Sequence, residues 1–151
     1  VVIGTNAIND LNARNITIAS GVTEIPDDLF AWYNGQNDIT CSNSSYSQQV
    51  AKNDVALSIP TGVTKIGVDA FYSYNGATLV LPEGLEEIGK TAFANYYGND
   101  ITIPVSVTTI GEKAFRDFTG RINMSAGTCP DNNSFAPNAQ IYANDTLCQY
   151  N

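Results

Sequence analysis

Residues 58–76 read "SIPTGVTKIGVDAFYSYNG", and two further stretches repeat that text: "VLPEGLEEIGKTAFANYYG" at 80–98 and "TIPVSVTTIGEKAFRDFTG" at 102–120. The three align without a gap. Phe71, Phe93 and Phe115 are 22 apart (93 − 71 and 115 − 93), and Ile59, Leu81 and Ile103 keep the same step. The shared frame is apolar-Pro-x-x-apolar-x-x-Ile-Gly-x-x-Ala-Phe-x-x-aromatic-x-Gly. That many fixed positions at constant spacing is the mark of a repeat architecture.

Working outward, "TIASGVTEIPDDLFAWYNG" at 17–35 keeps Ile18, Val22, Ile25, Phe30, Tyr33 and Gly35 in register, with Pro26 where the others have glycine. Ile3-Gly4 followed by Ala7-Ile8 repeats part of the frame, so residues 1–15 are expected to be a partial first unit, continuing from a leader or upstream segment that has been removed. Residues 39–56 form a degenerate unit rich in Ser, Asn and Gln, and the step from Phe30 to Phe71 is 41, three short of two periods. Residues 125–151 are expected to hold an eroded last unit and a C-terminal cap. The expectation is one repeat domain over 1–151, of about six to seven units.

Each fixed position has a physical role. Alternating apolar pairs (Ile16/Ile18, Leu57/Ile59, Leu79/Leu81, Ile101/Ile103, Ile122/Met124) have the period of a short strand with one buried face. Pro60, Pro82 and Pro104 end that strand, because proline cannot extend a ladder. A second brief extended run then reaches Ile66 and its equivalents. Gly67, Gly89 and Gly111 are expected to turn a tight corner at positive φ. Ala70-Phe71, Ala92-Phe93 and Ala114-Phe115 would lie on a helical or 3₁₀ turn that puts one ring per coil into the core. A unit of this length cannot bury its own apolar face, so neighbouring units must stack. The fold class implied is a repeat solenoid, β-rich α/β.

Seven basic residues against fifteen acidic ones give a net charge of −8, which repels a phosphate backbone and an anionic membrane surface. No apolar run approaches the roughly 18 residues of a membrane span. There is no histidine, so Ser-His-Asp and Cys-His systems are excluded. No phosphate-cradling glycine loop occurs either. The expectation is therefore no enzyme, no cofactor, no metal, no nucleic acid and no membrane insertion. Cys41, Cys129 and Cys148 fit no zinc spacing. They read as three buried or half-buried small apolar residues, or else Cys129 and Cys148 bridge in an oxidising compartment.

Residues between each strand's buried pair should point outward: Thr17, Thr40, Ser58, Val80, Thr102 and Asn123. Beside them lie Asp38, Thr78, Asp100 and Arg121. This hydroxyl-rich strip is the candidate partner surface, and it carries no large aromatic anchor. Trp32, Tyr72 and Tyr97 fall outside the repeated positions and are candidates for an aromatic platform.

Residues 58–120 resemble the BspA-like leucine-rich repeats, also called the Treponema pallidum type, whose pattern reads roughly IPxSVTxIGxxAFxxC. "IPVSVTTIGEKAF", residues 103–115, is close to it at every fixed position, and "NAQIYANDTLCQY", residues 138–150, is similar to the segment that often closes such arrays. Where that family often has cysteine three residues after Phe, this chain has Tyr33, Tyr74, Tyr96 and Phe118. The resemblance implies a right-handed superhelix with its partner strip on the concave side. It also implies an extracellular or cell-surface protein of a host-associated bacterium or protist, binding a host or neighbouring-cell protein in adhesion. Carbohydrate binding and a spacer role in a larger surface protein are the alternatives.

Overall fold

A computed structural model describes residues 18, 21–31, 57–75, 79–98, 100–127, 129–130, 134–135 and 139–149. It shows a β-solenoid with little helix. The three clear coils each contribute two short strands and a run of turns, and each of these stacks on its equivalent in the neighbouring coil.

One row of strands follows the alternating apolar pairs: β2 (Leu57–Ser58), β4 (Leu79–Val80), β6 (Ile101–Ile103), β8 (Arg121–Met124) and β9 (Gln140–Ala143). β2 pairs parallel with β4, and β6, β8 and β9 pair parallel in turn. β4 lies beside β6, one repeat on. The alternation decides the facing: Ile101 and Ile103 are buried and Thr102 is exposed. The prolines act as expected, each starting a turn in which its carbonyl accepts from the residue three ahead: Val63 N to Pro60 O at 3.0 Å, Leu85 N to Pro82 O at 2.9 Å.

The second extended run forms a separate parallel sheet, in the order β1 (Glu24–Ile25), β3 (Lys65–Ile66), β5 (Glu87–Ile88), β7 (Thr109–Ile110). Its inner row is Ile25, Ile66, Ile88 and Ile110. Its outer row sets Lys65 between Glu24 and Glu87, at 3.9 and 3.7 Å. Exposed pairs of this kind contribute about 0–1 kcal/mol each, so they support register more than stability.

The turn after Gly67, Gly89 and Gly111 differs from both expectations made for it. Those glycines do not have positive φ. A Cβ on Gly89 would lie 2.6 Å from the carbonyl carbon and oxygen of Gly67, and one on Gly111 would run into the backbone nitrogen of Lys90. Glycine is required there because one coil's backbone passes directly against the next. Pro26 heads this column in the first described coil, where the Asp27 carboxylate accepts from the Val68 amide at 2.7 Å.

Positive φ falls two residues later, at Asp69, Thr91 and Lys113, and again at Ser73, Asn95 and Asp117. These left-handed residues break the expected helical turn into separate i→i+3 turns, such as Ala92 N to Gly89 O and Ala94 N to Thr91 O. They also aim intervening amides at the neighbouring coil: Phe71 N donates to Ala92 O and Phe93 N to Ala114 O, both at 2.8 Å.

Backbone stacking on all three sides brings equivalent side chains into columns. Phe30, Phe71, Phe93, Phe115 and Phe135 stack in sequence, with centroids 4.9, 5.2, 5.2 and 5.3 Å apart and rings within 8° of parallel. Tyr74, Tyr96 and Phe118 form a second column beside it, meeting the first edge-on at Phe71–Tyr74 and Phe93–Tyr96. A buried ring contributes about 1.5–3 kcal/mol, so these columns are the main favourable term.

The array ends in a hairpin. β10 (Thr146–Leu147) turns back antiparallel onto β9 through Asn144-Asp145, both at positive φ as a type I′ turn requires. A Cys129–Cys148 disulfide ties the hairpin down. Of the two readings open for these cysteines the bridge holds, since Cys129 is exposed rather than packed into the core. Cys41 lies outside the described residues.

Candidate functional site

The outward row of the longer strand series runs Val80, Thr102, Asn123, Tyr142, Leu147. Strand pairing sets Ser58 beside Val80, Thr102 beside Asn123, Asn123 beside Tyr142 and Tyr142 beside Leu147. Val80 is 71% exposed and Thr102 is exposed; Asn123 and Tyr142 are half-buried by their neighbours. A flanking row is formed by Asp100, Arg121 and Gln140, with Arg121 paired to Gln140.

Of the residues expected on this strip, Val80, Thr102, Asn123, Asp100 and Arg121 are therefore brought together on one face, and Ser58 is the register partner of Val80 on β2. Thr17, Thr40, Asp38 and Thr78 lie outside the described residues, as does Trp32. Tyr72 and Tyr97 are not on the sheet. Tyr72 belongs to the turn run, its hydroxyl accepting from Asn95 Nδ2 at 3.0 Å. Tyr97 follows the next coil's turns, 55% exposed, its amide donating to Tyr74 O.

The expectation that the strip has no large aromatic anchor is corrected by Tyr142. The Arg121 guanidinium lies over its ring, 3.7 Å from the centroid. Nε of Arg121 donates to Asn123 Oδ1 at 2.6 Å and Nη2 to Asp145 Oδ1 at 2.9 Å, while the Arg121 amide donates to Asp100 Oδ1 at 2.9 Å. The signal that could have found Tyr142 is the segment "QIYA", residues 140–143, in which Ile141 takes the buried place of Ile122 and Ile101.

The opposite sheet presents a different chemistry, paired charges rather than hydroxyls. Near it the Glu112 carboxylate sits between Lys90 Nζ at 3.0 Å and Lys113 Nζ at 3.3 Å. Hydrogen bonds from those two ammonium groups hold its carboxyl below the usual range. At the first described coil the Asp28 carboxyl is raised, by burial first and then by the charges of Asp69 and Asp27. Among the described residues no group of three or more Cys, Asp or Glu side chains is placed to hold a metal ion.

Stacked coils, two parallel strand rows and stacked columns of aromatic rings define a repeat solenoid. The chain belongs to the leucine-rich repeat proteins of the BspA type: the model of the BspA type leucine rich repeat region matches residues 1–54 and 49–139 in six copies. No curated protein and no solved structure matches the chain significantly. Repeats of this family point to a protein-interaction module, and no helix among the described residues is long and apolar enough to cross a membrane.

Proposed function

We propose that this chain is a non-catalytic adhesion module, carried at a cell surface or outside the cell, that binds a host or neighbouring-cell protein through the outward face of the β2–β4–β6–β8–β9 series. The observation that carries this reading is the face itself. Its strands hydrogen-bond to one another and its inner side chains lock into the core, so the row from Val80 to Leu147 is held in place, with Val80, Thr102 and Leu147 exposed to solvent. A rigid face loses little freedom when a partner docks, which is what a binding surface needs. The disulfide supports an oxidising compartment, where such bonds persist. The family supports interaction over chemistry, and the chain's lack of histidine agrees with that.

Binding to a panel of purified extracellular-matrix proteins tests the reading, with Val80→Lys and Thr102→Lys placed on the face and Thr109→Lys on the opposite sheet. Binding lost with the first two and kept with the third is the expected result. Binding that survives Val80→Lys and Thr102→Lys together would remove this face from the account.

A further inference from the structure

Arg121 is held from several sides. Tyr142 lies under its plane, Asn123 takes Nε, Asp145 takes Nη2, and Asp100 fixes the backbone amide. Nη1 has no hydrogen-bond partner among the described residues. Arginine is normally a flexible surface residue that loses much rotamer freedom on binding. Here most of that freedom is already gone.

The two side-chain acceptors differ in how they are held. Asn123 sits in β8, flanked by β6 and β9. Asp145 sits at the hairpin tip with its side chain 96% exposed, against 35% for Arg121. A carboxylate arriving from another chain can therefore take the place of Asp145, which returns to water and leaves no buried charge behind. With Nη1 unpaired among the described residues and beside Nη2, that carboxylate meets two parallel donors, the fork geometry that arginine offers and lysine does not. Apolar surface adjoins it: Leu147, paired with Tyr142, is 45% exposed.

We propose that Arg121 and Tyr142 form the anchoring point of the sheet face, and that they take the carboxylate of an acidic residue in a partner protein segment whose neighbouring apolar side chain rests on Leu147. This rests on the interaction role proposed above and adds the chemistry of the partner. Arginine and tyrosine are the residue types that dominate interface hot spots. The chain's charge of −8 opposes an acidic partner at long range, so recognition depends on the fixed guanidinium at contact and not on a diffuse field.

Titration of the full chain with N-acetyl-glutamyl-leucine amide, followed on the Arg121 Nε–Hε resonance by heteronuclear NMR, tests this. The neutral N-acetyl-glutaminyl-leucine amide is the control. The glutamyl probe should shift the resonance to saturation and the glutaminyl probe should not. In the variants, binding is read from the Leu147 and Tyr142 amide resonances. Arg121→Gln should weaken binding about tenfold, and Arg121→Lys, which keeps the charge but loses the fork, should fall between. Asp145→Asn should tighten binding about threefold by removing the internal competitor, and asparagine tolerates the left-handed backbone there. Weaker binding of the glutamyl probe in Asp145→Asn would mean that Asp145 holds Arg121 in place instead of competing for it and would overturn the proposal, as would equal binding of the two probes or no shift with either. Matrix-protein binding that depends on Thr102 while the probe leaves Arg121 unmoved keeps the face and removes the anchor. A bound probe with no matrix protein binding does the reverse.

Discussion

Phe93→Ala removes the middle ring of the longer aromatic column. Phe93 is fully buried, stacked on Phe71 at 5.2 Å and 1° and on Phe115 at 5.2 Å and 7°, with Tyr96 edge-on at 5.9 Å. Strand spacing sets the coil rise at about 4.8 Å, so ring centroids 5.2 Å apart follow the step of the coils and keep each ring within the roughly 4.5–7 Å range of aromatic pairs. Phenylalanine to alanine in a core costs about 3–5 kcal/mol. With ring partners on three sides and backbone-fixed coils that cannot collapse inward, Phe93 should lie near the top of that range. Phe135, which ends the column on Phe115 and is slightly exposed, should lie near the bottom. Against a total stability of about 5–15 kcal/mol, the Phe93 loss is large. Urea unfolding followed by far-ultraviolet circular dichroism measures both, with Thr102→Ala as an exposed reference expected within about 0.5 kcal/mol of the parent. If Phe93→Ala costs no more than Thr102→Ala, the column does not hold the coils together and the reasoning fails.

Gly89→Ala should destabilise by at least about 1–3 kcal/mol, since the new methyl meets backbone that can move only by separating two coils. Gly21→Ala, where nothing lies within 4 Å, should be nearly neutral in the same denaturation experiment. Cys148→Ser should lower stability by about 2–4 kcal/mol, and the same loss should follow reduction of the parent but not of the variant in a thermal melt. Burial pushes the Tyr96 hydroxyl up to about 12, partly offset by a backbone hydrogen bond from Leu79. Because the unfolded chain ionises this group first, near 10, its contribution to stability is lost as pH rises from there through the folded value. The urea midpoint should drop over that window, and Tyr96→Phe should drop less; an equal drop in both would rule the group out.

The coils, both strand rows and the aromatic columns were legible because each is written three times at one spacing. Phe71, Phe93 and Phe115 identify themselves by recurrence. The reason for the glycines was not legible. Gly67, Gly89 and Gly111 show that a side chain is forbidden, and a tight corner and a close coil-to-coil passage forbid it equally. The left-handed positions carry no common residue type: Asp69, Thr91 and Lys113 occupy one register, and only the first is a residue that favours that backbone. Tyr142 was hidden by slippage of the period. β9 follows β8 by 19 residues (140 − 121) rather than 22, so counting forward from the clear repeats misses it. The disulfide stayed open for a different reason: sequence does not supply the 5.7 Å Cα separation that permits it.

Cysteine pairing tests the stacking most directly. In Lys65→Cys with Glu87→Cys, the new residues are register partners on adjacent parallel strands, at a spacing a disulfide can span. In Lys65→Cys with Thr109→Cys, the same registers lie two strands apart, about 10 Å, beyond that reach. Peptide mapping after mild oxidation should find the bridge in the first variant and not in the second. No bridge in the first, or equal bridging in both, would contradict a solenoid in which each 22-residue step brings the chain back over itself.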